Sequence, residues 1–140
     1  DIKLDSSTPH IIVQPHPWRL LKTKSSHRKV PLVGASLWSA RRVIHHSNTP
    51  YAFPRYNDGE LANANSASAA LNKWLKPMVS EGSVVHSFRH SMRDRFRAVE
   101  CPKEIIDQIG GWSSSDVGES YGDGFPILNL SDWLQKMMID

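Results

Sequence analysis

Proline placement sets the outline of this chain. A proline inside a helix removes a backbone N–H and collides with the preceding turn, so helices must fit between prolines. Pro15 and Pro17 follow the β-branched stretch HIIVQ and exclude a helix there. WRLLK and KVPL then flank the polar connection TKSSHR. That pattern predicts a small antiparallel sheet with a hairpin whose tip is basic, Pro31 ending the last strand or lying on an edge. HSNTPYAFPRYNDG, with Pro50, Pro54 and the Asp58-Gly59 turn signal, is loop.

The segments between the later prolines carry helical periodicity. Ser36 is placed to cap a helix showing Leu37, Ala40 and Ile44 on one face. Ala67, Ala70, Leu71, Trp74 and Leu75 form a second stripe that ends at Pro77. VVHSFRHSMRDRF opens a third helix, with Phe88, Met92, Phe96 and Val99 toward the core. Pro102 suits the first turn of a short helix carrying Ile105, Ile106 and Ile109, and Gly110-Gly111 ends it. Ser113 to Tyr121 fits a further turn or two. Ser131 begins a last amphipathic helix with Leu134, Met137 and Met138, which either folds back on its own domain or docks on a neighbouring subunit. The expected fold is one α+β domain over 1–140, mostly helical. Its β-hairpin region spans 10–32, and the helical part, 36–140, carries the motifs.

Composition narrows the function classes. The hydrophobic share of 39% is ordinary for a globular domain, and no apolar run approaches the roughly 18 residues of a membrane span. The single cysteine, Cys101, excludes an internal disulfide and fits a reducing, cytoplasmic setting. The net charge of +3 permits an anionic partner without requiring one. DIKLDSSTPHII starts without an initiator Met and reads as the continuation of something longer.

The third helix concentrates the chemistry. Arg89, Arg93 and Arg97 recur every fourth residue and form one ridge, which read alone is a solvated helix face. His86 lies one turn before Arg89, so both side chains can address one spot near the helix start. An anion there would meet an imidazole, a guanidinium fork and free backbone N–H groups, and phosphate matches that fork bidentately. His86 and His90 have the spacing of a zinc-binding helix. However, Ser87 stands where metal hydrolysis needs a Glu, and no third ligand follows, so no metal is expected. Downstream, Trp112 follows the glycine pair and Tyr121 precedes Gly122-Asp123-Gly124, while upstream Lys22 sits at the mouth of the hairpin.

Taken in order, these residues resemble the catalytic domain of the tyrosine recombinases, the phage integrase family. KTKSSHRKVPL is similar to the family hairpin Lys-Thr-x-x-Ser-x-Arg-x-Val-Pro-Leu, and HSFRHS to its His-x-x-Arg box. Tyr121 lies nine residues after Trp112, the family spacing from a Leu-Gly-His segment to its nucleophile, with IGGW here replacing that segment. The resemblance runs from about Ile11 to Tyr121. It implies catalytic roles for Lys22, His86, Arg89, Trp112 and Tyr121, and DNA contacts from Lys24, Arg28, His90 and Arg93. By register with Arg28 and VPL, Lys22 rather than Lys24 is the catalytic lysine. It further implies double-stranded DNA as partner, a homo-tetramer on that DNA, and no cofactor. One departure stands out. The family's first arginine, in a Gly-x-Arg-x-x-Glu helix, has no counterpart before Lys22, which leaves half of the arginine clamp missing and predicts an inert or nearly inert chain.

Three other classes compete. A non-catalytic DNA-binding module would use the basic ridge for phosphates alone. A type IB topoisomerase-like enzyme would share the nucleophile but act as a monomer on one duplex. A plain helical interaction domain would show no steep loss of DNA affinity with salt.

Overall fold

The computed structural model describes residues 1–23, 26–57, 59–112 and 124–138. Three short strands, β1 (Ile2–Lys3), β2 (His10–Val13) and β3 (Arg28–Pro31), form an antiparallel sheet in the order β1-β2-β3. The register pairs Ile2 with Ile11, His10 with Pro31 and Val13 with Arg28. Alternation turns His10 inward, where its Nδ1 donates to the Thr8 carbonyl at 2.8 Å.

HIIV therefore pairs directly with RKVP, and WRLLK is not a strand. His16 and Arg19 instead exchange backbone hydrogen bonds of 2.8 and 3.0 Å in a tight turn that includes Pro17. A proline has no N–H to offer a ladder. Leu20 beyond it is left 84% exposed. Asp1 braces this turn, accepting from His16 Nε2 at 2.8 Å and Gln14 Nε2 at 2.9 Å.

Among the described residues five α-helices follow: α1 (Gly34–His46), α2 (Ala64–Leu75), α3 (Ser87–Ala98), α4 (Lys103–Gly110) and α5 (Ile127–Lys136). Ser36 caps α1 from inside its first turn, not from the position before it. Its Oγ accepts from the Val33 N–H at 3.0 Å and donates to the Val33 carbonyl at 2.6 Å. Asn63 caps α2, its Oδ1 accepting from the Ser66 N–H at 3.1 Å. Gly111 ends α4 at φ 65°, where the missing Cβ removes the left-handed penalty, and its N–H returns to the Asp107 carbonyl.

The core gathers Phe96 from α3, Cys101, Ile105, Ile106 and Ile109 around α4, and Leu130 and Leu134 from α5. Helix α5 starts after Pro126, earlier than Ser131, which is itself buried in the helix. Leu130 supplies the reason, since including it gives α5 a second inward turn against β3. The last helix thus folds back on its own domain. Parts of three expected faces stay outside that core. Phe88 is exposed because only the later turns of α3 reach the core, while Leu71 and Trp74 of α2 and Ile44 of α1 are also exposed. Among the described residues no helix is long and apolar enough to cross a membrane.

Candidate anion site at the junction of α3 and α4

The site forms where the start of α3 meets the end of α4. Gly111, in its left-handed turn, sends the chain back so that the Trp112 N–H bonds the Asp107 carbonyl at 3.0 Å. The indole then folds over Gly110, where any Cβ would fall inside the Trp112 ring. A glycine at 110 is thus a condition for the placement of Trp112.

Arg89 comes from α3 to lie over this ring, its guanidinium carbon 4.1 Å from the centroid. Arg93, one turn later, reaches the same ring at 5.1 Å. The ring's negative face attracts both cations. Neither arginine pairs with a carboxylate among the described residues, because Asp94, the acid on the same helix, is bound to Arg97 at 3.2 Å. Both are half-buried, so the pair is unlike the solvated ridge that spacing alone suggests, whereas Arg97 is exposed.

Arg28 approaches from β3. Its Nε donates to the Ile109 carbonyl at 2.9 Å and its Nη1 to the Ser26 carbonyl at 2.8 Å. A Cβ on Gly111 would come within 2.5 Å of that Nη1, so the second glycine makes room for it. Burial, and then the charge of Arg89, hold the Arg28 guanidinium below its ordinary pKa. Arg28 therefore clips the sheet to the end of α4 and adds positive potential beside Arg89.

His86 precedes the first residue of α3, and its ring meets His90 edge-to-face at 5.3 Å; both are exposed. The backbone N–H groups at this helix start are not free, contrary to expectation. Ser87, Phe88 and Arg89 donate to the carbonyls of Val84, Val85 and His86 at 2.8 to 3.2 Å, because a turn over 84–86 leads into the helix. An anion would thus be held by side chains alone. Lys22 is exposed in the connection between β2 and β3. Lys24 and Tyr121 lie outside the described residues.

The structure brings Arg89, Trp112, Arg93 and Arg28 together. Sequence reasoning missed the placing roles of Gly110 and Gly111, which it read only as a helix end. It also gave no sign of Asp107, a buried acid whose Oδ2 meets Lys103 at 2.8 Å while Oδ1 has no hydrogen-bond partner among the described residues. Among the described residues no cluster of three or more His, Cys, Asp or Glu could hold a metal ion. No family model, no curated protein and no solved structure matches this chain.

Proposed function

We propose that this chain is a catalytic domain of the tyrosine recombinase type, which cuts and rejoins DNA through a 3′-phosphotyrosyl intermediate. The observation that carries the reading is Arg89 lying on Trp112 with no carboxylate among the described residues to neutralise it. Such a pair is poised for an external phosphodiester, for which guanidinium geometry is suited. The phenolic oxygen of Tyr121 attacks phosphorus and its proton passes to His86. The bond to the 5′-oxygen breaks, and that oxygen takes a proton from Lys22. Arg89 and the Trp112 indole N–H stabilise the charge that grows on the non-bridging oxygens, a contribution of about 10²–10³ in rate for one donor. Rejoining reverses these steps with a second strand's 5′-hydroxyl. Two paired duplexes call for a tetramer on DNA.

The test uses a duplex in which sulfur replaces the bridging 5′-oxygen. A thiolate leaves without a proton donor, so a slow catalytic centre can still trap the adduct. Wild-type protein is expected to form a covalent adduct on a denaturing gel, Tyr121→Phe none, and Lys22→Ala an adduct with the sulfur substrate but not with ordinary DNA. DNA binding that depends on Arg89, with no adduct on either substrate, would favour the non-catalytic DNA-binding module.

A further inference from the structure

The ring of Trp112 carries two guanidiniums, and only one of them has a role in the reaction proposed above. Two like charges gathered on one indole ring repel each other, and the Arg89 charge also acts on the Arg28 guanidinium. No described acid neutralises either cation, since Asp94 is occupied by Arg97 and Asp107 by Lys103. Arg28 has two of its donors committed to backbone carbonyls, whereas no acceptor among the described residues holds the Arg89 or Arg93 forks. A single anion between those two forks would remove the repulsion and use both sets of donors.

We propose that Arg93 is a second phosphate ligand, acting with Arg89 on one phosphate while Trp112 serves as the platform that aligns them. The inference rests on the recombinase reading for the identity of that phosphate, a DNA phosphodiester. It assigns Arg93 to the reacting centre, in place of contact with a remote part of the duplex backbone. Arg93 then supplies, from within the described chain, a second guanidinium beside the His-x-x-Arg arginine.

The test is calorimetric titration of the intact chain with inorganic orthophosphate at constant ionic strength, chloride being the competing anion. Arg89→Met, Arg93→Met and the double variant are compared, with thermal melting in chloride to check folding. Met retains an apolar cover on Trp112 but no charge. Each single variant is expected to lose roughly ten- to hundredfold in phosphate affinity, the usual loss for a hydrogen bond to a charged group. The double variant should lose less than the product of the two, because both residues hold one ligand. Arg93→Lys should recover only part of the affinity, having charge without the fork. Wild-type affinity in Arg93→Met, alongside a loss in Arg89→Met, overturns the role of Arg93 and leaves the recombinase reading standing. Failure of the wild-type chain to bind orthophosphate overturns the shared phosphate site and the role of Arg93, while the Tyr121 adduct decides the recombinase reading separately.

Discussion

At the scale of single residues, burial decides which groups are chemically silent. Cys101 sits 7% exposed in the core beside Phe96 and Ile105. Burial pushes its thiol up to about 11, the nearby Lys136 charge opposing the rise only in part. The folded state thus disfavours the thiolate. Its contribution to stability is fully present below the ordinary thiol pKa of 9.0 and is lost as pH rises through about 11. Wild type is therefore expected to lose stability relative to Cys101→Ala between those pH values, measured by urea unfolding. At pH 8 the native thiol should react with iodoacetamide no faster than the chain opens. Rapid native labelling would show that Cys101 is not packed as described. The arginines make the opposite case. Arg89 and Arg93 are half-buried and without a carboxylate partner among the described residues, which leaves their forks open to an external anion.

At the scale of elements, the end of α4 does more than stop a helix. Alanine at a helical glycine ordinarily gains up to ~1 kcal/mol. At Gly110 the added methyl group would occupy the Trp112 ring, so the gain is reversed. Gly110→Ala is expected to destabilise by about 1–3 kcal/mol through overpacking, or to expel the indole. In both cases orthophosphate affinity should fall, because Arg89 and Arg93 lose their platform. Thermal melting combined with phosphate titration checks this, and unchanged affinity would show that Trp112 does not align the arginines. The sequence showed that α4 ends at the glycine pair. It did not show that these two glycines make room for Trp112 and Arg28, since a glycine's need for space is visible only beside what fills it. Helix α2 teaches the converse. Its stripe is helical in period, yet only Leu75 is buried, because periodicity reports a face and not its neighbour.

At the scale of the whole molecule, α5 closes the core from the far end of the chain. Leu130 is 1% exposed and packs with Phe96 and Ile109, while the helix lies against β3. Leu130→Ala is expected to cost about 2–5 kcal/mol, a large share of the stability of a domain this size, measured by chemical denaturation. A loss below about 1 kcal/mol would mean that α5 is not an integral part of the domain. The same docking matters for the site, because β3 carries Arg28 to the end of α4 and α5 holds β3 in place.

The sequence by itself determined that α1 to α5 are helical, that α4 stops at the glycine pair, and the order of Lys22, His86, Arg89, Trp112 and Tyr121 on which the functional reading depends. These are local properties, set by proline, glycine and apolar spacing within a few residues. Tertiary structure alone decided which strands pair, which apolar faces are covered, and that Arg93 shares the Trp112 ring with Arg89. Those outcomes depend on residues far apart in the chain. The bond from Arg28 to Ile109 spans 81 positions. No local pattern encodes such a distance; only the packed core fixes it.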